Sequence, residues 1–188
     1  SITVSRLPPV ESVCFPAGTP IQTDQGIVAI EKINTDIHTI RNKRIVAISK
    51  TISSETYLVE FKKNALGLNY PTENTSMSRH HKVYYQGNMH RAYTFLDKVE
   101  KVGKIKYNGE ILYNVLMDDH SEIRVNNLIC ETLHPYNQVA ILYNKKCKSA
   151  PKVLLYNLWG LMKHFVPSVC DIVRYSLSPP LPSPPLSS

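Results

Sequence analysis

The chain has 188 residues, of which 43% are hydrophobic and 20% charged, with a formal charge of +7; this suits one domain with appendages and excludes two full domains. Four cysteines, at 14, 130, 147 and 170, are too few and too far apart for a disulfide-stapled mini-domain or a CxxC zinc site, and nothing in them argues for an oxidising compartment, which favours an intracellular setting. The charge is concentrated late: Lys145, Lys146, Lys148, Lys152, Lys163 and Arg174 against Asp171 put +5 after residue 143 and leave +2 for the rest, so the basic run reads as a solvated segment rather than a nucleic-acid patch.

In chain order, SITVSRLPPVESV (1–13) lacks both an initiating Met and an apolar signal core and reads as the end of an upstream segment. From Ile21 to about Tyr143, short Val/Ile/Thr/Tyr-rich runs alternate with turn residues, the spacing of an all-β sandwich or barrel rather than of βαβ units. Asp24-Gln25-Gly26, Gln86-Gly87-Asn88 and Asn108-Gly109 are the turn signals, Asn-Gly being the strongest hairpin cue. Lys82 to Tyr85 and Glu110 to Met117 are expected as flanking strands, and Lys62 to Pro71 as a long loop. After Pro151, VLLYNLWGLMKHFV places Leu154, Leu158, Leu161 and Phe165 at helical spacing. This predicts a basic, partly helical extension over 144–174, too short for the ~20 residues of a transmembrane span. The tail 175–188, rich in Pro and Ser, is expected to be disordered.

Three segments carry chemistry. They are CFPAGTPIQTDQGIVAIEKI (14–33), TSMSRHHKVYY (75–85) and LYNVLMDDHSEIRVNNLICETL (112–133). Taken alone, Cys14 reads most simply as a buried core thiol, with metal ligand and nucleophile as the other choices. A cysteine lying beside its own preceding carbonyl can attack it without diffusional cost, and such proximity supplies ~7–11 kcal/mol of barrier reduction. The departing amide nitrogen then needs a proton, which an imidazole can deliver near neutrality.

Together the three segments resemble the Hint module, the fold shared by inteins and the autoprocessing domain of Hedgehog proteins. The first matches from Cys14 through Gly18, Thr19, Ile21, Thr23, Gly26, Ile30 and Ile33; the second gives Ser78-Arg79-His80-His81 where the family has Thr-x-x-His; the third gives Tyr113-Asn114-Val115, His120 and Val125-Asn126-Asn127. The resemblance implies an all-β Hint fold over 14–143. It also implies an N-to-S acyl shift in which Cys14 attacks the Val13 carbonyl to form a thioester. His81 would serve as the proton donor, Ser78 as the hydroxyl that holds the amide or orients the histidine, and His120 as a second proton-transfer or carbonyl-polarising group. His80 is expected to face solvent, because neighbouring strand residues point to opposite faces.

The departures narrow the reading. Splicing members end in His-Asn, whose carboxamide cyclises; here Cys130-Glu131 stands in that place and the chain continues for more than fifty residues. This favours a non-splicing, Hedgehog-like module. Asn114 replaces an aspartate and cannot shuttle a proton, which leaves Asp118 or Asp119 as auxiliaries, and Cys130 is a further auxiliary candidate. The expected partners are the chain's own upstream polypeptide and water or a small nucleophile as acyl acceptor, in a monomer with no metal or cofactor. The rival is a degenerate Hint domain that no longer cleaves and serves as a structural or interaction module.

Overall fold

The computed structural model describes residues 13–136 and residue 140, all within a compact unit spanning Ser1–Ile141. The helical extension and the Pro/Ser-rich tail expected from the sequence lie outside the described residues. Among the described residues there are thirteen short strands: β1 Phe15–Pro16, β2 Pro20–Thr23, β3 Gly26–Ala29, β4 Thr39–Ile40, β5 Lys43–Thr51, β6 Tyr57–Phe61, β7 Thr75–Met77, β8 Lys82–Tyr85, β9 Asn88–Arg91, β10 Val102–Lys106, β11 Leu112–Met117, β12 Glu122–Val125 and β13 Leu128–Glu131. Two 3-10 turns, Ile30–Lys32 and Ala92–Phe95, lie among these strands.

The strands form three sheets, in the orders β1-β11-β5-β4, β10-β6-β7 and β3-β2-β12-β13-β8-β9. All thirteen belong to antiparallel pairs, as expected of strands joined by tight turns. Alternation sets the faces: along β5, Ile45, Ala47 and Ser49 point inward while Arg44 and Lys43 are exposed. One apolar cluster, built on Phe15, Ile21, Ile30, Val59, Phe61, Met77, Val83, Val115 and Leu128, joins all three sheets. A smaller cluster of Cys14, Leu58, Tyr107 and Leu112 seals the end of the sheet that carries β1.

Two of the three turn signals close hairpins, at Asp24-Gln25 between β2 and β3 and at Gln86-Gly87 between β8 and β9. Asn108-Gly109 does not. It lies between β10, which pairs with β6, and β11, which pairs with β5 and β1, so it carries the chain from one sheet to another. Tyr107 fixes that passage by donating its hydroxyl to the Glu110 carbonyl at 2.6 Å and accepting the Ser53 N–H at 3.1 Å. The tight Asn turn lies instead at Asn126-Asn127, both at positive φ (46° and 69°), closing the β12–β13 hairpin. Lys62 to Pro71 is a loop of turns, as its Gly and Pro foretold.

Candidate active site

The site begins at the tight turn Pro16-Ala17-Gly18-Thr19. Thr19 donates both its N–H (3.4 Å) and its hydroxyl (2.7 Å) to the Pro16 carbonyl, and Gly18 sits at φ +80°, a conformation glycine adopts without steric cost. Glu31 accepts the Gly18 N–H at 2.7 Å and ties the turn to the end of the first block. The turn follows directly on β1, whose Phe15 pairs with Tyr113 of β11, and leads the chain into β2. Continuing that register sets Cys14 opposite Asn114.

The Val13–Cys14 peptide is gripped at both polar atoms. The Cys14 N–H donates to Ser78 Oγ at 2.8 Å, and the Ser78 N–H returns a bond to the Cys14 carbonyl at 2.9 Å. The Val13 carbonyl accepts from Asn114 Nδ2. Asn114 is fully buried, and its Oδ1 accepts the Val115 N–H at 2.7 Å, which orients the amide so that the NH₂ faces Val13. The donor on the Val13 oxygen sits where negative charge would build during nucleophilic attack, while the Ser78 oxygen holds the N–H and fixes the orientation of the peptide. The sequence alone marked Asn114 as the loss of an acid; in the structure it is a donor to the Val13 carbonyl.

His81 is completely buried and packs on Phe15 with ring centroids 4.1 Å apart. Its Nε2 lies 3.0 Å from the Glu131 carbonyl. A carbonyl only accepts, so Nε2 carries the proton and Nδ1 keeps its lone pair. Nδ1 has no hydrogen-bond partner among the described residues. Burial pushes the imidazole down to about 4 against the opposing pull of the Glu131 and Cys14 backbone, so the ring rests neutral. Cys14, 4% exposed, is pushed up to about 12, first by burial and then by the charge of Glu55. The resting pair is therefore neutral thiol and neutral imidazole.

Glu55 went unmarked in the sequence, where it is one acid in an otherwise unremarkable ISSETY run. Its Oε1 lies 3.5 Å from Arg79 Nε and 3.8 Å from His80 Nε2. His80 is correspondingly shielded from solvent, edge-on to Tyr93 at 5.6 Å, which corrects the expectation that it faces water. Alternation does not apply at Ser78–His81, because these residues lie between β7 and β8 in a turn closed by the bond from His81 N–H to the Ser78 carbonyl at 3.0 Å.

The other expected residues stand apart. Asp118 and Asp119 lie beyond the end of β11, where their side chains pair with Arg44 at 3.6 Å and Lys43 at 2.6 Å. His120 is part-exposed, 3.2 Å from Glu131 Oε2, and its ring lies against His134 at 4.6 Å. Cys14 and Cys130 are both free, buried thiols. Among the described residues no three of His, Cys, Asp and Glu come together as a metal site, and no helix is long and apolar enough to cross a membrane.

No curated protein matches this sequence. Among solved structures, the chain is similar to a bacterial intein-like domain from Clostridium thermocellum, at 19% identity and a TM-score of 0.50 over 64% of this chain and 98% of that one. It is also similar to a splice-inactive variant of the AceL NrdHF class 3 split intein, at 12% identity and a TM-score of 0.41 over 64% and 97%. The first likeness speaks for the fold. The family model described as "Hint domain" matches residues 13–137, more than half of the chain, and the chain belongs to that family.

Proposed function

We propose that this Hint domain cleaves its own chain at Val13–Cys14, releasing the upstream segment (1–13 and whatever precedes it) without splicing. The observation that carries the reading is the two-sided grip on that peptide, with Asn114 donating to the Val13 carbonyl and Ser78 accepting the Cys14 N–H. In the first step Cys14 Sγ bonds to the Val13 carbonyl carbon and the thiol proton passes to His81 Nδ1, making the imidazolium. Negative charge builds on the Val13 oxygen, where Asn114 stabilises it. Collapse breaks the C–N bond as the Cys14 nitrogen takes a proton from the imidazolium, leaving a Val13 thioester and a free Cys14 amine. Water or a small nucleophile then displaces the thiol. Glu131 has no carboxamide with which to cyclise, and so the downstream junction stays closed, as in the Hedgehog-like class.

The burial of Cys14 and the upward push on its thiol also favour a second reading, a degenerate Hint domain that keeps the fold as a structural or interaction module without cleaving. The two part on one experiment. A reporter fused upstream of Ser1 in the full chain is expected to be released at Val13–Cys14 on adding dithiothreitol, and Cys14→Ala to abolish release. A folded fusion that stays whole, with Cys14→Ala behaving identically, selects the second reading.

A further inference from the structure

Glu131 takes no part in the acyl shift just described, yet its carboxylate is almost fully enclosed, with 7% of the side chain exposed. Burying a charge costs free energy unless its partners repay it, so a buried carboxylate at a strand end calls for an account of what it holds. Its attachments run to His81, Lys82 and His120. The Glu131 carbonyl accepts from His81 Nε2 at 3.0 Å, and Oε1 accepts the N–H of the next residue, Lys82, at 3.1 Å. Oε2 lies 3.2 Å from His120 Nε2 and 3.5 Å from Lys82 Nζ. The β13–β8 ladder registers Cys130 against Val83, which sets Glu131 beside Lys82 where the strands part and the chain turns into His81. At that point the side chain takes over the work of a ladder bond.

Resting on the cleavage reading above, we infer that Glu131 is the positioning residue for His81. Its side chain clamps the first residue of β8, and this fixes its own carbonyl where the buried ring must donate. The consequence is chemical. With Nε2–H committed to Glu131, Nδ1 is the ring atom left for proton transfer. His120 reaches the site through the same carboxylate rather than by touching the scissile peptide. The residue that stands in place of the cyclising asparagine has thus acquired a task in the upstream step.

The test uses two readouts on the full chain. In the upstream fusion, Glu131→Ala is expected to slow hydroxylamine-dependent release about tenfold to hundredfold, the scale of a sub-ångström to one-ångström misplacement of a catalytic group. Glu131→Gln keeps an oxygen for the Lys82 N–H and is expected to recover to within about fivefold, the worth of an ion pair whose lysine, Lys82, reaches solvent. In a Cys14→Ala background, which does not process, ¹⁵N NMR of the His81 ring is expected to show a single Nε2–H tautomer. Adding Glu131→Ala should turn that signal into a tautomer mixture while resonances of the distant β10–β6 pair stay in place; adding Glu131→Gln should not. Release by Glu131→Ala at the parent rate, or an unchanged His81 tautomer, overturns the inference. If the parent fusion never cleaves, the cleavage reading fails by itself, and the ring measurement still decides whether Glu131 positions His81.

Discussion

Strand β11 passes through two environments, and the contrast bears on where the proposed chemistry would sit. At its start, Asn114 is buried opposite Cys14 and its amide is spent on a single carbonyl, that of Val13. Just past its end, Asp118 and Asp119 carry full charges into solvent, 74% and 56% exposed, where they pair with Arg44 and Lys43. Exposed pairs of this kind are worth ~0–1 kcal/mol because water screens them and the side chains lose freedom. A neutral donor held in a dry site acts with far less screening on the charge that develops during attack. On the cleavage reading proposed above, formal acidity therefore misleads within this block: the uncharged Asn114, not the exposed aspartates, is placed to act on the Val13 oxygen.

The contrast can be broken most severely at its nucleophile, since Cys14→Ala is expected to stop release altogether in the fusion assay. Next comes the donor: Asn114→Ala should slow thioester formation roughly 10²- to 10³-fold, the effect of removing one oxyanion donor. Asn114→Asp, which puts an acid where the family usually has one, should also be slow, because a carboxylate offers no proton and repels the developing oxyanion. An Asn114→Asp variant as fast as the parent would mean that proton shuttling, not donation, is what the position supplies.

A pH series reads the same buried site through stability. His81 has its folded pKa lowered to about 4 from 6.5. The unfolded chain thus binds the proton first as pH falls, and the stabilising contribution is complete above ~6.5 and lost progressively toward ~4. Cys14 works at the other end: its folded pKa is raised from 9.0 to about 12, so the unfolded chain loses its proton first and stability declines as pH climbs through that window. Denaturant midpoints between pH 7 and 4 should fall for the parent and fall less for His81→Gln. Smaller still is Ser78→Ala, expected to cost about tenfold in rate, the net worth of one hydrogen bond, with Ser78→Thr close to the parent. Asp118→Asn and Asp119→Asn mark the bottom of the scale, with release within about twofold of the parent; a larger loss would bring the exposed end of β11 into the mechanism.

Much of this was legible in the residues. Turn chemistry and short β-rich runs announced an all-β fold, and the resemblance of Ser78-Arg79-His80-His81 to the family's Thr-x-x-His block pointed to residues that lie by Cys14 and its neighbour: the Ser78 hydroxyl takes the Cys14 N–H, and His81 packs on Phe15. What the sequence hid depends on pairing between distant strands. Asn114 reads as a missing acid until the β1–β11 register brings it to Val13. Glu131 reads as a missing asparagine until β13 lies against β8, and Glu55 has no local signal at all. Asn108-Gly109 misled for the reverse reason, because a dipeptide with hairpin propensity was used to switch sheets. His80 escaped the alternation rule because a turn, not a strand, separates β7 from β8.

The central claim is that the Val13–Cys14 peptide interconverts with a thioester in the folded domain. Its most direct measurement is mass spectrometry of the full-chain fusion treated with hydroxylamine under native conditions. The upstream fragment should appear as a hydroxamate at Val13, with the other product beginning at Cys14 with its amine free. An intact fusion, or a fragment ending at any other residue, would contradict the account.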